Sequence, residues 1–296
     1  MSMASVFNLR SLLGPRARCV SLLPNSLTGG RKASRHNSFL RVRKNRCGHV
    51  PGVARLSALA GAEVHNEEGL YPGHMNTSAL QKATLAVGSA VMSLYNPYRH
   101  DMVAVFGEVT GGSALSRLHQ KMLRDPEGRL ILQERPRINS SLLDIPRLRS
   151  LPPDTFGYAY SRFLDDHHVT PDSRAPVRFV DDADLAYVMQ RYREIHDFMH
   201  TLLGMPINML GEVTVKIFEA VQTGLPMCIL GSVFGPLQLS SRKRLELVSK
   251  LLPWALHCGS SSSCVLNVYY EKYWDEPLAQ MQARIGITPP PLLLPL

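Results

Sequence analysis

The chain has five cysteines in 296 residues and no CxxC pair. Cys19 and Cys47 fall in the N-terminal segment. Cys228, Cys258 and Cys264 sit at spacings that suit neither a disulfide framework nor a cysteine-ligated zinc. No phosphate-cradling glycine loop, nucleophile elbow or dinucleotide fingerprint occurs, which argues against nucleotide-driven and serine-hydrolase chemistry. No internal repeat is visible. Acidic residues are missing until Glu63, whereas eleven Arg and Lys occur up to Arg55. Arg or Pro interrupts every apolar stretch in this segment, which excludes a secretory signal. Its Arg-rich, Ser-rich, acid-free composition is that of a mitochondrial transit peptide. The expected organisation is a disordered leader over 1–56 and a single helical domain with flexible ends over 57–296.

The formal charge of +9 belongs to that leader. Removing its eleven basic residues from the total of 33 leaves 22 against 24 acidic residues. The body is therefore nearly neutral, with no basic surface that would call for nucleic acid.

What the body does contain is helical periodicity. Leu80, Ala83, Val87, Val91 and Leu94 recur on one helical face, with Asn76 as a cap candidate and Asn96-Pro97 as the stop. From Ala83 to Pro97 this run carries no charge, so the helix is expected to be buried or to face lipid. Ser113 to Arg124 predicts a second helix, ending before Asp125-Pro126. Asp154 is a cap candidate for a third, through Phe156, Tyr160, Phe163 and Leu164. Asp181 and Asp182 cap the clearest helix, whose stripe runs from Leu185 to Leu203 and stops at Gly204. A partner helix follows from about Asn208 to Thr223 and ends at Gly224. Further helices are expected over Ser241 to His257 and Asp275 to Ile285. Strand signals are few: Met102 to Val109 is ambiguous, and Cys264 to Tyr270 has pairing potential. The fold class is all-α, a predominantly helical multi-helix bundle. No charge occurs between Glu219 and Arg242, but five Gly and Pro residues interrupt that stretch. It suits a buried hairpin, or a surface touching a bilayer or a long apolar ligand, better than a spanning helix.

The chemistry concentrates at His196-Asp197-Phe198-Met199-His200, followed by Glu212. At about 100° per residue, His196 and His200 lie roughly 40° apart on one helical face, with Asp197 about 60° to the side of His200. An antiparallel helix pair would return Glu212 opposite them. Two imidazoles and two carboxylates suit tetrahedral Zn2+, and iron, manganese or cobalt accept the same donors. The competing reading is a set of surface ion pairs, Arg193 with Asp197 and Glu212 with Lys216, each four residues apart. The motif also resembles the zincin HExxH with Asp in place of Glu, which shortens the general base by a methylene and disfavours peptide hydrolysis. His167-His168 and Glu134-Arg135-Pro136-Arg137 read as solvated turns.

The HDxxH motif with its distal Glu212 occurs together with Leu94-Tyr95-Asn96-Pro97, Gln133-Glu134-Arg135-Pro136 and Arg178-Phe179-Val180-Asp181-Asp182. It is accompanied by Gln190-Arg191-Tyr192-Arg193-Glu194 and the run Glu219 to Met227. In this combination, over roughly Leu70 to Thr288, the chain resembles the family of the fourth coenzyme Q biosynthesis protein. The resemblance implies a helical protein peripheral on the matrix face of the mitochondrial inner membrane, within a multi-enzyme complex of other coenzyme Q biosynthesis proteins. It implies a metal at His196, Asp197, His200 and Glu212, with zinc as the expected ion. It also implies a lyase acting at ring carbon C1 of 4-hydroxy-3-methoxy-5-polyprenylbenzoate, removing the carboxylate and admitting a hydroxyl. Zinc alone has no redox capacity, so the oxidative form needs dioxygen with another electron route, or a different metal. Alternatives are a non-catalytic prenyl-lipid-binding scaffold with a structural metal and a hydrolase of phosphorylated prenyl compounds. Homo-oligomerisation is compatible with each.

Overall fold

The computed structural model describes residues 69–96 and 99–291, all within the unit His65–Leu296. The predicted leader lies outside the described residues. The fold is all-α. Its helices are α1 (Ala79–Tyr95), α2 (His100–Thr110), α3 (Gly112–Arg124), α4 (Pro126–Glu134), α5 (Ile145–Ser150) and α6 (Phe156–His167). They continue with α7 (Ala183–Leu203), α8 (Met209–Thr223), α9 (Pro226–Phe234), α10 (Ser241–Glu246), α11 (Leu252–Ser261) and α12 (Leu278–Ile285). Among the described residues the one β feature is an isolated bridge between Thr155 and Pro277.

α7 is the centre of the molecule. The Asp182 carboxylate accepts from the backbone N–H groups of Asp184 and Leu185, and Gly204 closes the helix at φ 62°, a conformation that favours glycine. From Ala186 to Leu203 every α7 residue is buried, so this helix is enclosed on all sides rather than amphipathic. Leu115, Leu118 and Met122 of α3 join the same core. Phe198 meets the rings of Phe156 and Tyr160 edge-on, and Trp274 stacks on Phe156. Full burial of such side chains contributes about 1.5–3 kcal/mol each. The charges on α7 are tied to other segments: Arg193 pairs with Glu108 of α2, and Arg191, wholly enclosed, pairs with Glu271 and donates to the Val268 carbonyl. α8 starts at Asn208, whose side chain accepts from Gly211 N–H, and ends at Gly224 with φ 64°.

Several local expectations shift. The α1 cap is Ser78, in a capping box with Gln81, not Asn76; α6 is capped by Thr155, not Asp154. Asp125-Pro126 ends α3 but also begins α4: the Asp125 carboxylate accepts from Glu127 and Gly128 N–H, and proline at the first helical position loses no needed donor. Met102 to Val109 lies inside α2. Cys264 to Tyr270 forms short 3-10 turns rather than a strand. Ser241 to His257 is interrupted by a π turn over Leu247–Leu251.

α1 is not buried by its apolar stripe. Leu80 is 78 % exposed and Val87 67 %, while Ser89 and Ser93 are the buried positions. Each serine hydroxyl donates back to a carbonyl one turn earlier, so these small residues lie inside with their polar groups satisfied. The uncharged stretch after Glu219 divides similarly: Met227 and Cys228 are buried, whereas Ile229, Val233, Phe234 and Leu237 are exposed. No described helix is long and apolar enough to cross a membrane.

Candidate metal centre

α7 and α8, joined through Gly204 to Asn208, bring His196, His200 and Glu212 together, with one donor atom from each within 4.8 Å of the others. The imidazole centroids are 4.9 Å apart at 89°. His196 Nε2 lies 3.6 Å from one Glu212 oxygen and His200 Nε2 lies 3.4 Å from the other.

The opposite edge of each ring fixes its tautomer. His196 Nδ1 is 2.6 Å from Glu219 Oε1, and His200 Nδ1 is 3.0 Å from the Met205 carbonyl. Lys216 Nζ also lies 3.3 Å from His196 Nδ1, but the 2.6 Å carboxylate contact is the shorter one and Lys216 is held by Glu219. A carboxylate and a carbonyl only accept, so in the neutral rings both Nδ1 atoms carry the proton and both Nε2 lone pairs face Glu212. His200 Nε2 is buried and has no hydrogen-bond partner. Lone pairs on two imidazoles and a carboxylate converging within one cluster repel unless a cation lies among them. The donors are those that zinc and related divalent ions take, and histidine ligands held through the second ring nitrogen are the usual supporting arrangement. The residues present fit a metal.

Glu219, itself buried, is the centre of a second cluster behind the first. It accepts from Lys216 Nζ at 2.7 Å and from the Tyr192 hydroxyl at 2.7 Å, in addition to His196. The Cys228 thiol lies 3.1 Å from that hydroxyl. Burial alone would raise the Glu219 carboxyl, but the charges of His196 and Lys216 and their hydrogen bonds hold it well below the carboxylate range. Desolvation would raise the Glu212 carboxyl, but the two imidazoles that face it hold it well below the carboxylate range. Burial pulls His196 down, yet the Glu219 charge and the hydrogen bonds to Glu212 and Glu219 leave it raised. Burial pushes the Cys228 thiol up to about 12.

Asp197, the fourth expected donor, stands apart. Its Oδ1 accepts from Arg174 Nη2, and it is not among the three clustered residues. The surface-pair alternative is overturned on both counts: Arg193 is committed to Glu108, Lys216 to Glu219, and Asp197 is buried. Glu134, Arg135 and Arg137 form structural contacts, to Tyr269, Asp184 and Glu194 respectively. His168 is the left-handed cap of α6. Sequence reasoning missed Glu219 and Arg174. A signal existed for the first, since Glu212, Lys216 and Glu219 lie at i, i+4 and i+7 on one face of α8.

The cluster opens on a cavity of about 630 Å³. Its polar wall includes His196, Asp197, Glu212, Lys216 and Arg174. Its apolar wall is built from Leu94, Val103, Phe106, Met227, Leu230, Phe234 and Leu237. Pockets of this kind, mostly apolar with a few convergent polar groups, suit an amphiphilic small molecule.

Fold and site together define an all-α protein with a histidine–glutamate donor cluster at the head of an apolar cavity. The chain belongs to the family described as coenzyme Q (ubiquinone) biosynthesis protein Coq4, whose model matches residues 71–291. That description places the family in ubiquinone biosynthesis. A relative from Xenopus tropicalis is 60 % identical over 240 residues, spanning 81 % of this chain and 85 % of its own. One from Homo sapiens is 56 % identical over 253 residues, spanning 85 % and 95 %. A fungal relative, from Coprinopsis cinerea, is 48 % identical over 217 residues, spanning 73 % and 75 %. All three are named mitochondrial ubiquinone biosynthesis proteins. A crystal structure from Nostoc punctiforme shares the fold at TM-score 0.56 and 19 % identity, covering 69 % of this chain and 97 % of that one; at that identity the likeness concerns the fold alone.

Proposed function

We propose that this chain is a metal-dependent carboxy-lyase of ubiquinone biosynthesis, acting at ring carbon C1 of a 4-hydroxy-3-methoxy-5-polyprenylbenzoate. The observation that carries this reading is the pair of imidazole lone pairs facing Glu212 at the wall of an apolar cavity. His196, His200 and Glu212 would hold a divalent cation, and Asp197, one oxygen of which keeps Arg174, would join them through the other. When bound, the ion supplies Lewis acidity that stabilises negative charge developing on the aromatic acid. The chain's own residues do the rest. Glu219 and the Met205 carbonyl hold the rings in one tautomer, and the apolar wall takes the prenyl tail and excludes water. In the reaction the bond from C1 to the carboxylate carbon breaks and carbon dioxide leaves, its electron pair remaining on the ring. In the simple lyase C1 then takes a proton; in the oxidative form one atom of dioxygen becomes the hydroxyl oxygen, and an external two-electron donor with two protons reduces the other to water.

Organisation of the coenzyme Q complex, with a peripheral place on the matrix side of the inner membrane, belongs to the same proposal. The exposed apolar residues of α1 and α9 support a docking role, and the mitochondrial names of the relatives support the compartment. The test is direct. Purified chain of measured metal content is given a short-tailed prenyl-4-hydroxybenzoate under air, and carbon dioxide, decarboxylated product and hydroxylated product are followed. Turnover that is lost in His200→Ala is expected. No turnover by metal-replete protein, with complex assembly intact in that variant, would leave only the scaffold.

A further inference from the structure

Three arginines around α7 bury an Nε–H that has no hydrogen-bond partner: Arg174, Arg191 and Arg193. Two of them are otherwise fully committed. Arg191 binds Glu271 through both terminal nitrogens and also donates to the Val268 carbonyl. Arg193 donates to two backbone carbonyls and to Glu108. Arg174 makes a single side-chain hydrogen bond, from Nη2 to Asp197, and it lines the same cavity as His196 and Glu212. A guanidinium carries five N–H donors in one plane, and it favours carboxylates because two of them can reach both oxygens. The Arg174 Nε–H is enclosed by protein, but the side chain is 29 % exposed where it lines the cavity, so the terminal N–H groups not committed to Asp197 are the donors an acceptor there can reach.

We propose that Arg174 is the specificity-determining residue for the substrate's ring carboxylate, with Asp197 holding the guanidinium in place from the other side. This rests on the reading that the substrate is a prenylated aromatic acid. The carboxylate accepts from the free donor edge of Arg174. The ring then lies beside the histidine–glutamate cluster, and the prenyl tail lies along Phe106, Leu230 and Phe234. Arg174 binds the ground state and takes no part in bond breaking, so its loss acts mainly through substrate affinity.

The test uses the full chain and two ligands that share a ring and tail: 3-farnesyl-4-hydroxybenzoate and 2-farnesylphenol, which lacks the carboxylate. Equilibrium dialysis is run on wild type, Arg174→Gln and Arg174→Lys at matched metal content, with thermal melts of each. We expect wild type to prefer the acid. Arg174→Gln should lose about 10- to 100-fold of acid affinity, the range of a charge-assisted hydrogen bond, while its affinity for the phenol stays the same. Arg174→Lys, which keeps the charge without the planar fork, should recover part of the loss. Where turnover is measurable, KM should rise more than kcat falls. Acid preference unchanged in Arg174→Gln would overturn the proposal, as would equal loss of both ligands in a variant that melts normally. If Arg174→Gln does not fold, a wild-type acid preference in Arg174→Lys overturns it instead. The two proposals fail separately. Carbon dioxide release with no Arg174 effect removes this one alone, whereas an Arg174-dependent acid preference without carbon dioxide release removes the lyase alone.

Discussion

His196 Nδ1 lies 2.6 Å from Glu219 Oε1, and both side chains are buried. This contact fixes which ring nitrogen is free, and it joins the metal cluster to the Lys216–Tyr192–Cys228 cluster behind it. Supporting partners of metal-bound histidines typically change affinity by about 10- to 100-fold when altered. Glu219→Gln should therefore weaken zinc binding by about that factor, measured by competition with a chromophoric chelator. Unchanged affinity would show that Glu219 does not orient His196.

The pH dependence of stability should change sign with metal. In chelated protein, burial lowers His196 but the Glu219 charge and the bonds to Glu212 and Glu219 raise it above 6.5. A raised basic group contributes stability that is full below its unfolded value and is lost as pH rises through its folded value. Metal needs the neutral imidazole and binds better as pH rises. Thermal melts from pH 5.5 to 8.5 should show a small difference between chelated and metal-loaded protein at the acid end and a large one at the alkaline end. A gap that narrows with rising pH would contradict the assignment.

Gly211→Ala should damage both fold and site. A Cβ at this position would stand 1.9 Å from the Pro206 carbonyl oxygen, a backbone atom that cannot rotate away. Overpacking of this kind costs about 1–3 kcal/mol. Because Glu212 is the next residue, the backbone shift should also lower metal affinity. Urea unfolding and chelator competition read the two effects, and a variant with wild-type values in both would refute the close approach.

Leu80→Glu with Val87→Glu tests the exposed face of α1. Both positions are open to solvent, so stability should stay within about 0.5 kcal/mol of wild type. Sedimentation with vesicles containing anionic phospholipid should drop. Equal vesicle binding by both proteins would place membrane contact elsewhere.

Much of this architecture was legible in local sequence. Asp182 and Gly204 bound α7, and Asn208 and Gly224 bound α8, because caps and left-handed glycines act through the first and last turns alone. The all-α class followed from apolar spacing in the same way. For α1 the uncharged run left burial and a lipid-facing surface both open, because it carries a stripe of large apolar residues and a stripe of small ones; in the fold the serines are buried and the large residues exposed. Met102 to Val109 was ambiguous in sequence because a short apolar run fits a buried helix as well as a strand, and it lies in α2.

At the site, helical spacing by itself determined that His196 and His200 share a face of α7, since that depends only on 3.6 residues per turn. Tertiary structure decided their partners. Glu219 reaches His196 from a second helix, Met205 offers its carbonyl after the turn at Gly204, and Arg174 arrives from a segment before α7 to take Asp197. Contacts between separate segments depend on how whole helices pack, and no local period in the chain encodes that.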